Sequence, residues 1–285
     1  MAEDYDLICV LGPTASGKTR YAVQMARELG GEILSGDSRQ VYRGMDIGTG
    51  KDLADYGEIP YHLIDIVDAG EKYNIYQYQH DFEKAYRGIV ERGRTPILCG
   101  GSGLYIEAAT KGYYLPDVPP DEALRSELKK LPTEQLKQRY EALRTPHNTT
   151  DYDTRQRLIR ALEIAIYQEK HPVGRTSFLP KKTKYIGLSV SREVRNARID
   201  ARLEARLKEG MVDEVRHLLR SGIPADNLIY YGLEYKYLTL YLTGKMGYDE
   251  MVEKLRTAIH QFAKRQMTWF RGMERRGIKI EWVQV

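Results

Sequence analysis

Cysteine is scarce in this chain. There are two in 285 residues, Cys9 and Cys99, each inside an apolar run. That leaves no framework for a disulfide scaffold or a cysteine-rich metal site, and it favours buried thiols in a reducing compartment. Long apolar runs are also missing. None approaches membrane-span length, and the acidic start Met1-Ala2-Glu3-Asp4 has no apolar stretch of the secretory kind. The expectation is a cytoplasmic protein with no membrane partner. No internal repeat or low-complexity tract is present, which excludes a solenoid. Neither sign of charge dominates: the formal net charge is +4 with 29% charged residues, which permits a polyanionic partner without requiring one. Phenylalanine is rare, 4 residues against 22 tyrosines. Most of the tyrosines suit core edges, and a minority could stack on bases. At 42% hydrophobic, the chain can bury a full core, as one large domain or as a core with an insertion.

The most informative segment is Gly12-Pro13-Thr14-Ala15-Ser16-Gly17-Lys18-Thr19, set between an apolar run at 7–11 and a helix-like stretch at 20–29. Spacing, lysine, threonine and flanks together define a phosphate loop. Its backbone N–H groups and the helix N-terminus make a seat for a diphosphate or triphosphate. Lys18 would bridge phosphate oxygens and the Thr19 hydroxyl would ligate Mg²⁺. A loop of this type also predicts nucleotide binding, ATP included.

Strand and helix signals alternate in the first part of the chain. Strands are expected at 32–35, 61–67 and 96–99, and helices at 74–92 and 104–110. A proline cluster at 115–120 then changes the pattern. Helical signals fill 121–170 with a break near 145–148, residues 172–182 are loop-like and basic, and a strand returns at 185–190. Helical segments at 194–221 and 249–276 finish the chain, with a turn near Gly244. The fold class is therefore α/β: a P-loop NTPase-like parallel sheet core flanked by helices, residues 1–115 and 183–285, interrupted by a helical insertion domain at 116–182.

Asp37 follows the strand at 32–35, at the end of a sheet where ligands bind. It could hold Mg²⁺ through water, act as a general base, or cap its own turn. Gly100-Gly101-Ser102-Gly103 offers close backbone approach and a hydroxyl, or simply a tight turn. His62 reads as a structural histidine, and Asp65 could end a strand as a metal-water carboxylate. Arg195, Arg198, Arg202 and Arg206 form one helical stripe. Interleaved acids make a salt-bridged face the default, while a stripe facing the phosphates would clamp a diphosphate or an RNA backbone.

Taken in order, the residues closely resemble the tRNA dimethylallyltransferase (tRNA isopentenyltransferase) family, bacterial type. The resemblance rests on residues 12–19, on Asp37-Ser38-Arg39-Gln40-Val41-Tyr42, and on Gly44-Met45-Asp46-Ile47-Gly48-Thr49. It continues through His62-Leu63-Ile64-Asp65, Gly100-Gly101-Ser102-Gly103-Leu104-Tyr105 and Arg157-Leu158-Ile159-Arg160-Ala161-Leu162-Glu163, then Arg198-Ile199-Asp200-Ala201-Arg202 and residues 263–271. It implies transfer of a dimethylallyl group from its diphosphate to N6 of adenosine 37 in tRNA, with Mg²⁺ as cofactor; a monomer is expected, although the sequence does not fix the oligomeric state. It implies that Asp37 is the general base, that Thr19 binds at the phosphate seat, and that Arg202 binds diphosphate. It also implies tRNA contacts by Asp37, Ser38, Arg39, Gln40, Ser102, Arg125, Gln156, Arg157, Leu158, Ile159 and Arg160. His260 stands where the family commonly has Arg, and residues 230–236 lack the usual Gly-Tyr-Lys/Arg grouping.

Overall fold

The early apolar runs are hydrophobic on both faces, which suits parallel strands covered on both sides. The computed structural model describes residues 5–112, 118–143, 154–171, 178, 180 and 182–285. Of the segments read above, 1–4, 115–117, 144–153, 172–177, 179 and 181 lie outside the described residues. The chain divides into two compact units, Met1–Tyr113 with Phe178–Val285, and Tyr114–Ser177. The first unit begins with β1 (Leu7–Leu11), α1 (Lys18–Leu29), β2 (Gly31–Ser35), β3 (Tyr42–Arg43), β4 (Tyr61–His62), β5 (Val67–Asp68), α2 (Ile75–Glu91), β6 (Thr95–Gly100) and α3 (Gly103–Thr110). The second unit holds α4 (Glu122–Leu128), α5 (Thr133–Leu143) and α6 (Arg155–Lys170). The first unit resumes with β7 (Thr183–Ser189), α7 (Arg192–Glu209), α8 (Met211–Arg220), α9 (Ala225–Tyr230), α10 (Leu233–Leu242), α11 (Tyr248–Arg275) and β8 (Ile280–Gln284).

Six strands form one sheet in the order β4-β2-β6-β1-β7-β8, with every pair parallel. The chain leaves β1 toward one side through β2 and β6, and later toward the other through β7 and β8. The connections therefore diverge at the carboxyl end of β1, where open α/β sheets bind ligands. Side chains alternate across the sheet. Leu7, Cys9 and Leu11 join the larger core with Phe82, Leu203 and Phe270, whereas Ile8 and Val10 pack with Ala22, Val23 and Ala26 of α1. Cys9 and Cys99 belong to different cores on opposite faces, and both are free thiols.

Several elements differ from expectation. The run at 61–67 is two dipeptide strands, β4 and β5, because Leu63 and Asp65 adopt left-handed φ values of 66° and 54° and turn the chain between them. The helix expected across 194–221 breaks into α7 and α8 at Gly210, whose φ is 103°. Helices α9 and α10 fill a stretch that periodicity left unassigned, burying Leu228, Tyr235 and Leu238. The last strand, β8, was not foreseen. It is short and only partly buried, and pairing with β7 defines it. The second unit packs its own core around Leu128, Leu136, Tyr140, Leu158, Ile159 and Leu162. No described helix is long and apolar enough to cross a membrane.

Candidate active site

The phosphate loop leaves β1 at Leu11 and enters α1 at Lys18. Gly12 is closely packed: a Cβ there would lie 2.7 Å from Ser16 Oγ and 3.2 Å from the Leu188 carbonyl oxygen, so a larger residue would have to displace the Ser16 hydroxyl. Ala15 and Gly17 take φ values of 60° and 84°, a left-handed pair that bends the backbone into an anion-binding nest. The Ser16 hydroxyl is buried in this loop without a hydrogen-bond partner. Thr14 differs from the simple picture of inward amides: its N–H donates to Gln266 Oε1 at 2.8 Å and is not free for a ligand.

Loss of solvent lowers the Lys18 ammonium below its ordinary pKa; Cys99 and Asp37 pull it back up, and Arg202 and Arg206 lower it further. Lysine, two arginines and one carboxylate thus share one electrostatic neighbourhood, where a bound polyanion would favour the charged lysine. Cys99 is pushed up to about 11 by burial, against the opposing effect of Lys18. Arg202 and Arg206 line a small recess with Thr14 and Ala15, so this part of the α7 stripe faces the phosphate loop. Both guanidinium groups reach Asp52, and Arg202 also donates to the Gly50 carbonyl at 3.4 Å. An open cavity of about 460 Å³ continues outward past Arg20, Asp52 and Asp55. Arg198 is exposed and Arg195 half-buried, and neither lines the recess beside the phosphate loop.

Asp37 sits just past β2 and is half-buried. Its Oδ1 accepts the Arg39 N–H at 2.9 Å, so the turn-capping reading is realised, with the carboxylate held in place by its own turn. The Ser38 N–H donates to Ser102 Oγ at 3.2 Å, joining this turn to the one after β6. Gln40 accepts from Ser35 Oγ at 3.0 Å and donates to the Gly50 carbonyl at 3.2 Å. Arg39 donates to the Tyr230 carbonyl at 3.1 Å and lies over that exposed ring. Ser38, Arg39, Gln40 and Ser102 are therefore brought together with Asp37 at the carboxyl ends of β2 and β6.

Other candidates have structural partners. His62 Nε2 meets the buried Glu32 carboxylate at 2.7 Å. Asp65 pairs with the buried Lys51, which also reaches Asp46 and the Tyr42 carbonyl, so Asp65 is an internal counter-ion. His260, at the family's usual arginine position, contacts Asp200 at 2.8 Å. The sequence reading missed the brace on the loop at 44–50, where Glu214 accepts the N–H groups of Asp46, Ile47 and Gly48 and the Tyr235 hydroxyl. In the second unit, Arg125 and Arg160 both pair with the buried Glu163. Leu158 and Ile159 have their side chains in that unit's core, so Gln156, Arg157 and Arg160 are what this segment can present outward.

With this geometry in view, comparison with known proteins is consistent along the whole chain. Residues 40–273 match the model of the IPP transferase family, and residues 5–56 match that of isopentenyl transferase. The chain is 59% identical over 281 residues to tRNA dimethylallyltransferase 1 of Porphyromonas gingivalis, covering 97% of this chain and 93% of that protein. It is 57% identical over 284 residues to tRNA dimethylallyltransferase 2 of Bacteroides fragilis, covering 98% and 93%. Among solved structures, the tRNA isopentenylpyrophosphate transferase of Bacillus halodurans superposes with a TM-score of 0.72 at 34% identity, covering 99% of this chain and 90% of that one. A eukaryotic dimethylallyltransferase acting on tRNA shares the fold, with a TM-score of 0.79 at 22% identity, over 98% of this chain and 73% of that one.

Proposed function

Since the chain belongs to the IPP transferase family, we propose that it transfers a dimethylallyl group from dimethylallyl diphosphate to N6 of adenosine 37 in tRNA and releases diphosphate. It is a tRNA-modifying transferase. The observation that supports this chemistry is the convergence of Lys18, Arg202 and Arg206 with the carboxylate of Asp37 around one phosphate loop.

The adenine amine is a poor nucleophile because its lone pair is delocalised into the ring. Asp37 accepts a hydrogen bond from N6, aims the lone pair at the allylic C1, and takes the proton as the C–N bond forms. Such help is worth about 10²–10⁴ in rate. The Arg39 N–H holds Oδ1 and fixes the carboxylate, which would leave Oδ2 to accept from N6. As the C1–O bond breaks, its electron pair passes to the diphosphate, and the loop amides, Lys18 and Arg202 stabilise the growing charge.

The donor set suits Mg²⁺, which takes few protein oxygens and several from phosphate and water. The Thr19 hydroxyl would supply one, and the buried, unpartnered Ser16 hydroxyl would offer a phosphate oxygen a partner. When bound, Mg²⁺ would neutralise charge on the leaving diphosphate.

On the acceptor side, adenosine 37 must leave its stack, at a cost of a few kcal/mol. Ser38, Arg39, Gln40 and Ser102 would receive the nucleotide. Arg125, Gln156, Arg157 and Arg160 would offset the cost through contacts with the RNA backbone.

The test is incubation with dimethylallyl diphosphate, Mg²⁺ and unmodified tRNA, with N6 prenylation read by nucleoside mass spectrometry and ATP without a prenyl donor as control. Asp37→Ala should lower turnover by about 10²–10⁴ while tRNA affinity changes little. Equal losses in both would remove Asp37 from the role of base.

A further inference from the structure

Gln266 lies on α11 and is 8% exposed, one of few buried polar side chains in the first unit. Its Oε1 accepts the Thr14 N–H of the phosphate loop at 2.8 Å, and its Nε2 donates to the Gly101 carbonyl at 2.9 Å. The partners settle the amide's orientation, because an N–H can only donate and a carbonyl can only accept. The contact leaves no slack: a Cβ on Gly101 would lie 2.5 Å from Nε2, and one turn further along α11 a Cβ on Gly103 would lie 2.2 Å from the Trp269 ring. From Gly101 the linkage continues through Ser102, whose N–H donates to the Gly36 carbonyl at 3.3 Å and whose Oγ accepts the Ser38 N–H at 3.2 Å. A hydrogen-bonded path therefore runs from the phosphate loop, through one amide, to the residues on either side of Asp37.

We propose that Gln266 is a positioning residue that locks the phosphate loop to the turn after β6, and through Ser102 to the Asp37 turn, so that donor diphosphate and acceptor nitrogen keep a fixed separation. This rests on the reading that the phosphate loop seats the donor and that Asp37 meets the acceptor. Only a group that both accepts and donates at this reach can serve. Glutamate keeps the Thr14 bond but sets a carboxylate oxygen against the Gly101 carbonyl. Methionine fills the space and makes neither bond.

The experiment compares Gln266→Glu and Gln266→Met with the unaltered protein in single-turnover prenylation of tRNA. Affinities for tRNA and for inorganic pyrophosphate are measured alongside. Displacement of reacting groups by about 1 Å costs on the order of 10² in rate, so both variants should lose about that much while both affinities stay within about twofold. The pH profile separates positioning from general loosening. A glutamate facing a carbonyl binds its proton tightly, and once protonated it can donate to Gly101 again. The rate of Gln266→Glu relative to the unaltered protein should therefore rise about tenfold from about pH 8.5 to about pH 6, whereas that of Gln266→Met stays flat. Should the glutamate variant not fold, the methionine variant still reads the loss of rate at unchanged affinity. Variants prenylating at the unaltered rate, or losing tRNA affinity in step with rate, would overturn the proposal alone. No product from the unaltered protein would overturn the functional reading and this proposal with it.

Discussion

At the scale of single residues, the structure realises one of the three readings of Asp37, the turn cap, and that hydrogen bond to Oδ1 leaves the second carboxylate oxygen for the proposed role of base. The phosphate loop and the Asp37 turn were legible in the sequence because each is a pattern of closely spaced residues. Gln266 was visible only as one letter within residues 263–271, since its partner Thr14 is 252 residues away. Asp52 was equally silent until α7 brought Arg202 and Arg206 to it. In the second unit, Arg157 is exposed at the start of α6. If it contacts tRNA phosphate, Arg157→Ala should weaken binding and flatten the log-affinity against log-salt slope by about 0.7, the single-strand value for one phosphate. Titration at several salt concentrations checks this, and an unchanged slope would take Arg157 out of the footprint.

At the scale of elements, apolar runs and helical periodicity located β1, β2, β6, β7, α1, α2, α3 and α11, whose burial follows from composition. They failed at α9, α10 and β8, where short segments carry weak periodicity and neighbours decide. The turn after β6 is the instructive case. Its glycines suit either room for a ligand or a tight turn, and the contacts favour tightness: a Cβ on Gly100 would lie 2.3 Å from the Gly36 carbonyl oxygen. Backbone faces backbone there, so nothing can rotate away. Gly100→Ala should cost about 1–3 kcal/mol, the usual penalty for overpacking, and a thermal melt should show it as a lower Tm. Helix α2 is a milder case. Asn74 and Gln77 form a reciprocal capping box, and Asn74→Ala should cost about 1 kcal/mol in chemical denaturation.

At the scale of the whole molecule, stability should depend on pH through Glu32, buried in β2. Hydrogen bonding from Arg92 holds its carboxyl below the ordinary value, with a further contribution from His62 against the opposing pull of burial. A depressed carboxyl binds fewer protons in the folded chain than in the unfolded one. Its contribution is complete above the unfolded Glu value of about 4.3 and fades as pH falls through the folded value. Arg92→Ala should lower Tm near neutrality and shrink the further fall in Tm on acidification, as melts across acid pH would show. The sequence by itself determined the phosphate loop, the alternation that makes a parallel sheet, and the order of motifs that marks the family. These rest on local spacing and on side chains that choose water or core wherever they sit. Only the tertiary structure decided which arginines of α7 face the loop, that Lys51 neutralises Asp65, and that α11 returns Gln266 to the phosphate loop. Those pairings join residues that no local pattern links, from 14 to 252 positions apart, and they exist only after packing has paid the entropy of bringing them together.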